Sequence, residues 1–195
     1  MVAYVFDRIL QQGASEAPAR AEAARQWYRQ TAQRTAVNPQ TLIRSDRERF
    51  RRVPSIGQMY MFQYDPKYRL TLPYYDAFPL VIITGGRPGG FMGMNLHYLP
   101  PVLRAKFLDA LLNVTNNKKY DDTTKFRLTY KLLSGARTMR YFKPCLKHYL
   151  LAHVKSRFAE VPAPEWEIAT FLPTAQWEKA SAGRVYSDSR KASNG

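Results

Sequence analysis

The chain has little of what cross-linking, metal binding and membrane insertion require. Cys145 is the single cysteine among 195 residues, so no intramolecular disulfide forms and folding needs no oxidising compartment. The histidines are His97, His148 and His153, and with one cysteine they match no zinc spacing. His148 and His153 lie five apart, which suits shared ligation on a helix poorly, so all three read as packing or surface residues. Apolar runs are short. Leu80–Ile83 and Tyr149–Ala152 fall far below the roughly 20 residues that span a bilayer. The opening Met-Val-Ala-Tyr-Val-Phe-Asp-Arg puts no basic region before a long apolar stretch. It is no secretory signal, and synthesis in the cytoplasm is expected. Acidic side chains are also scarce. Fifteen Asp and Glu face 30 Lys and Arg, for a net charge of +15 and a pI near 10.1. Such an excess implies an acidic partner, be it nucleic acid, an acidic protein or an anionic membrane. The plain alternative is a solvated basic surface kept for solubility.

What is present points to a folded core. The hydrophobic fraction is 45% and the aromatic fraction 13%, and a disordered chain would be poor in these residues. The length suits one domain, or one domain with extensions.

The pattern along the chain gives element positions. Ala3–Gln11 and residues 18–35 read as helices, the second with Pro18 in its first turn. Residues 40–56 read as a short helix carrying Arg44, Arg47, Arg49, Arg51 and Arg52 and ended by Pro54. Gln58–Tyr64 reads as a strand, followed by an Asp65-Pro66-Lys67 turn and a Pro- and Tyr-rich loop over 68–78. Leu80–Ile83 and Phe91–Tyr98 read as the arms of a hairpin turned by Gly85–Gly90. Val102–Val114 has helical periodicity, and a helix over 123–134, capped by Asp121 or Asp122, ends at Gly135. Pro144–Leu151 reads as a short helix, Val154–Val161 and Glu165–Phe171 as strands, and Thr174–Lys179 as a short helix. The last residues are small and polar, and read as a flexible tail.

The expected architecture is therefore α+β: a small antiparallel SH3-like β-barrel or sheet with a helical insertion and a basic N-terminal helical arm. The arm covers 1–56, the core 57–178 with its insertion at about 100–150, and the tail 179–195.

No residue set stands out as catalytic. Asp109, Asp121, Asp122, Glu160, Glu165 and Glu167 are the carboxylates a metal-dependent nuclease could gather. Glu165 and Glu167 would share a face of a strand, and Asp121-Asp122 are explained by capping. Gly85–Gly90 lacks the Gly-Lys-Ser/Thr ending of a phosphate-binding loop, and no helix starts after it. Cys145, near Lys143, Lys147 and His148, could be activated, but a lone cysteine among apolar neighbours reads as buried and inert. No cofactor and no metal is expected.

The cations remain. Arg44, Arg47, Arg49, Arg51 and Arg52 form one cluster, and Lys118, Lys119, Lys125, Arg127 and Lys131 a second, with Arg87 at the hairpin tip. Arg137, Arg140, Lys143 and Lys147 form a third. Guanidinium groups suit phosphate. Of the interleaved tyrosines, Tyr60 and Tyr64 are expected to build the barrel core and its rim. Tyr74 and Tyr75 are candidates to stack on unpaired bases at a frayed DNA end.

Several phrases are specific as a set. They are Met59–Lys67, Leu72–Asp76 with Phe78-Pro79-Leu80, Gly89-Gly90-Phe91 with Asn95–Pro101, Arg104-Ala105-Lys106, Tyr120–Thr123 and Tyr141–Cys145. Together they resemble a virion-associated family of T-even-like tailed phages, the DNA end protector proteins, over roughly residues 45–178. The resemblance implies a non-catalytic protein, made in the bacterial host cytoplasm and carried in the virion. Such a protein binds ends of linear phage DNA and shields them from host exonuclease. It also implies other virion proteins as partners, among them portal, neck or baseplate. A structural neck, tail or baseplate component is the alternative, since proteins lining a DNA channel are basic too.

Overall fold

The computed structural model describes residue 30 and residues 49–115, 118–138 and 140–194. The two N-terminal helices expected before residue 40 lie outside the described residues, apart from Gln30. So do Arg44 and Arg47.

The core is an antiparallel sheet of six strands: β1 (Phe50–Arg51), β2 (Met59–Met61), β4 (Leu80–Arg87), β5 (Gly90–Asn95), β6 (Leu146–Leu150) and β7 (Phe158–Val161), in the order β1-β7-β2-β4-β5-β6. A separate two-stranded ribbon pairs β3 (Tyr75–Asp76) with β8 (Trp177–Glu178). Between β5 and β6 the chain inserts α1 (Pro101–Thr115) and α2 (Asp122–Thr138), then a 3-10 segment over Arg140–Cys145. Two further helices follow β7: α3 (Trp166–Phe171) and α4 (Ala182–Asn194). The fold is thus α+β, with a mostly antiparallel sheet and several helices.

Side-chain alternation along the central strands fills both faces. Met59, Met61, Leu80, Ile82, Met94 and Val161 face the helices, where Leu108, Leu111, Ile168 and Val185 complete the main core. Tyr60, Phe62, Val81, Ile83, Phe91, Tyr149 and Phe158 form an aromatic cluster on the opposite face. Phe91 of β5 and Phe158 of β7 stand 5.7 Å apart between ring centroids. On a flat sheet, three strand spacings of about 4.8 Å would separate them by roughly 14 Å. The sheet is therefore sharply curled around these rings, and a lone bridge between Tyr64 and Val154 draws the two sides closer. Among the described residues β1 and β6 remain its two ends. The sheet stays open, and of the two alternatives, barrel or sheet, it is the sheet that forms.

Several local expectations are corrected. Phe50–Arg51 is extended and pairs with Ala159 and Phe158 of β7, so the end of the basic arm belongs to the sheet. The turn between β4 and β5 is tighter than the glycine run suggested, because pairing continues to Arg87 opposite Gly90. Gly89 takes φ of 72°, which suits its missing Cβ. A Cβ on Gly90 would lie 1.8 Å from the Tyr149 carbonyl oxygen, so the close approach of β6 requires glycine there. The returning strand stops at Asn95, where the Asn95 side chain accepts from the His97 backbone N–H and starts a 3-10 turn over Leu96–Tyr98.

Helix α2 runs through Gly135 to Thr138, with Asp121 Oδ1 accepting from the Thr124 N–H at 2.6 Å as its cap. Leu146–Leu150, expected in a helix, is edge strand β6. Trp166–Phe171, expected as a strand, is a helix buried on every side; a run of six residues is too short for period to distinguish the two. Trp177–Glu178, expected in a short helix, is β8. Residues 182–194, expected as a flexible tail, form α4, anchored by the fully buried Val185.

One buried cation ties the helices together. Arg104 on α1 donates to the carbonyls of Thr170, Leu99 and His97 and to the Tyr186 hydroxyl on α4. The Thr170 carbonyl ends α3, where the helix dipole favours a positive charge. Burial lowers the guanidinium pKa, and hydrogen bonding to Tyr186 opposes that shift.

Candidate nucleic-acid interface

The second basic cluster is presented on the helical insertion. Lys118 and Lys119 are exposed just before α2. On α2, Thr123, Arg127, Tyr130 and Lys131 recur at helical spacing and are exposed. This gives a solvent-facing stripe of two cations and an aromatic ring, with Lys125 half-buried beside it. Arg87 is exposed at the hairpin tip. The arginine cluster is partly committed elsewhere. Arg49 is ion-paired with buried Glu165, and Arg51 pairs with Glu160 at 2.8 Å across β1 and β7. Both pairs pin β1 to its neighbours. Arg52 is exposed.

The tyrosines converge where sequence spacing does not suggest it. A pocket of about 330 Å³ opens between the 64–76 segment, the end of β5 and edge strand β6. Tyr64, Tyr68, Tyr74, Tyr75, Tyr98 and Tyr149 all contribute to its wall, with Lys67 and Lys147. Tyr68 is 62% exposed at the rim, and Lys67 Nζ sits 5.4 Å from its ring centroid. Lys147 Nζ lies 4.0 Å from the Tyr98 centroid, a cation–π contact, and burial lowers its pKa. Tyr74 packs against Tyr98 and Trp177 and Tyr75 lies in β3, so both candidate rings belong to this wall. Tyr60 is in the core as expected, while Tyr64 is half-buried and its hydroxyl accepts from the Leu150 N–H on the pocket wall.

A buried polar network floors the pocket. Asp76 is 3% exposed. Its carboxylate accepts from the N–H groups of Phe78 and Gln176, from Asn95 Nδ2 and from His97 Nδ1, the last at 2.7 Å. A carboxylate only accepts, so His97 carries its proton on Nδ1 and Nε2 meets the Thr174 hydroxyl at 3.2 Å. Asn95 Nδ2 also reaches the Tyr149 hydroxyl. The Asp76–His97–Thr174 order looks like a catalytic relay, yet all three residues are 3% exposed or less. They serve as a satisfied core that fixes the pocket wall. Asp76 and Asn95 stood out in the sequence only within the phrases that carry the resemblance, and His97 there and as a packing or surface histidine.

The other candidates for chemistry are dispersed. Asp121 caps α2, Glu160 and Glu165 hold arginines, and among the described residues no three His, Cys, Asp or Glu side chains gather as a metal site. Glu165 and Glu167 do not alternate on a strand. His148 is exposed on β6, and His153 Nδ1 contacts the Asp65 carbonyl oxygen at 2.9 Å. Cys145 is fully buried and burial pushes its thiol pKa up to about 12, which leaves no reactive thiolate at neutral pH. No described helix is long and apolar enough to cross a membrane.

A family model described as phage T4 terminal DNA protecting protein matches residues 2–194. No curated protein and no solved structure matches the chain. With nearly its whole length matched, the chain belongs to the phage T4 terminal DNA protecting protein family.

Proposed function

We propose that this protein protects linear phage DNA by occupying its ends and denying them to exonuclease, without chemistry of its own. Membership of a DNA-protecting family across residues 2–194 carries the proposal. The charge of +15 supports it, since each phosphate neutralised by Lys or Arg releases counterions and drives binding. The α2 stripe of Arg127, Tyr130 and Lys131, with Lys118, Lys119, Lys125, Arg52 and Arg87, supplies phosphate contacts. Arg44 and Arg47 would extend them, whereas the charges of Arg49 and Arg51 are offset by Glu165 and Glu160. Protection requires only that the protein hold the terminus longer than a nuclease needs to engage it. The protein is carried with the DNA in the virion, where the family's role would be exercised on entry into a new cell.

The test is exonuclease digestion of linear duplex with circular duplex as competitor, across a salt series. Protection that survives excess circle supports end recognition. Protection that the circle abolishes, or that never appears, refutes it and favours a structural role in the particle.

A further inference from the structure

We infer that the tyrosine pocket holds the unpaired terminal nucleotide of a DNA end, an inference that rests on the protective role proposed above and gives it a recognition site. The pocket volume of about 330 Å³ lies at the small end of the range for organic ligands. That size suits one nucleotide rather than a duplex. Its wall combines aromatic faces with ammonium groups, the two features that single-stranded nucleic-acid sites share. Tyr68 at the rim and Tyr75 in β3 offer stacking surfaces, and Tyr98 lies deeper under Lys147.

The charge balance is right for a phosphodiester. Lys147 has the Tyr98 ring as its neighbour and, among the described residues, no ion pair, and Lys67 lies over Tyr68. The one carboxylate in the wall, Asp76, is consumed by four donors beneath the surface. Asp65, at the start of the loop, is ion-paired with Arg69 at 3.1 Å. A phosphate entering the mouth therefore meets cations, while the aromatic walls accept any base, since every base has a π-face. Internal base pairs cannot enter, because their bases are stacked and paired. A frayed or overhanging terminal base leaves the stack at small cost.

The experiment places 2-aminopurine either at the terminal position or internally in the same linear duplex, with excess circular duplex present. The wild-type protein is expected to change the emission of the terminal probe and leave the internal probe unaltered. Tyr68→Ala and Lys147→Met are expected to weaken the terminal response by about 5- to 150-fold together, the range for losing one stacked base. Their melting temperature and their affinity for circular duplex should be unchanged. Tyr68→Ala alone suffices if the Lys147 change perturbs folding, because Tyr68 is 62% exposed. Equal response of the two probes, or variants that bind the terminal probe as tightly as wild type, overturns the pocket assignment. Exonuclease protection read in the same samples separates the two failures. Intact protection with equal probe response removes only the pocket, whereas absent protection removes the end-binding role and the pocket with it.

Discussion

Replacing Asp76 by asparagine isolates what the buried network contributes. The carboxylate accepts two bonds at each oxygen: Oδ1 from the Phe78 and Gln176 N–H groups, Oδ2 from Asn95 Nδ2 and His97 Nδ1. An amide keeps the first pair if its oxygen takes the Oδ1 position. Its NH₂ then faces His97 and Asn95. His97 adapts by moving its proton to Nε2 and donating to Thr174. Asn95 cannot adapt, because its Oδ1 accepts from the His97 N–H and its Nδ2 now faces another donor. One orphaned buried donor costs about 1–3 kcal/mol, and the surviving bonds lose roughly 1 kcal/mol each on passing from a charged to a neutral acceptor. The expected loss is about 3–5 kcal/mol for Asp76→Asn, a fall in Tm of roughly 6–20 °C at this chain length. Asn95→Asp in the same chain restores an acceptor opposite the new NH₂ and should recover part of the loss. Thermal and urea unfolding of wild type, both single variants and the double variant give the coupling directly. A Tm change under about 2 °C for Asp76→Asn, or strictly additive single effects, would refute the network as a structural keystone.

Three further outcomes are expected. Arg127→Gln with Lys131→Gln should lower the slope of log affinity against log salt by about 2, at about 0.9 per lost phosphate contact, with Tm unchanged; an unaltered slope in filter binding rules the α2 stripe out as a phosphate surface. Gly90→Ala should cost more than about 3 kcal/mol, because its Cβ would collide with the Tyr149 carbonyl, whereas Gly86→Ala, with open space around it, should stay within roughly 1 kcal/mol; similar urea midpoints would contradict the β5–β6 approach. Cys145 ionises near ~8.5 when unfolded but only at about 12 when folded. Its contribution is therefore fully present below the unfolded pKa and lost as pH rises towards 12. Wild type should lose about 2–3 kcal/mol more than Cys145→Ala between pH 8 and 10.5, and parallel pH profiles from urea unfolding would show that the thiol is not buried.

How much of this was legible depended on whether the signal was local. The α1 periodicity and the Asp121 cap are properties of adjacent residues, and both were readable. The hairpin was readable for the same reason, but its length was not. Gly90 sits in the ladder because β6 presses against it, a contact 59 residues away along the sequence (Tyr149). The hexamer Trp166–Phe171 is buried all round, Glu167 and Thr170 included, which erases the face preference that separates helix from strand. Helix α4 was hidden by composition. Its mean character is polar, and it is held by Val185 and by the Arg104–Tyr186 bond, neither of which a local window weighs. The cations of the candidate interface could be read from charge alone, yet Arg49 and Arg51 turned out to be ion-paired with Glu165 and Glu160. Alternating signs in sequence gave no hint of that. The pocket was the least legible part. Its wall comes from the 64–76 segment, from Asn95 and Tyr98, and from 147–150, and only the curl of the sheet brings them together.

End protection asks two separate things of a protein, and the proposed surfaces would meet them with different chemistry. Holding DNA is a matter of charge, and in the proposed reading the cations on α2 and at the hairpin tip would act on any stretch of phosphate. Charge cannot tell an end from the middle, because the phosphate spacing is the same in both. Distinguishing an end requires a group that only the end exposes. An unstacked base is such a group, and a site for it must be aromatic, narrow and closed to stacked pairs. Salt screens the first interaction strongly and the second weakly. On these grounds absolute affinity should fall steeply with salt, while the ratio of end to internal binding should hold. A purely electrostatic binder would have no such ratio to preserve. The tyrosine wall, kept rigid from beneath by Asp76 and Asn95, is the part of this fold able to supply it.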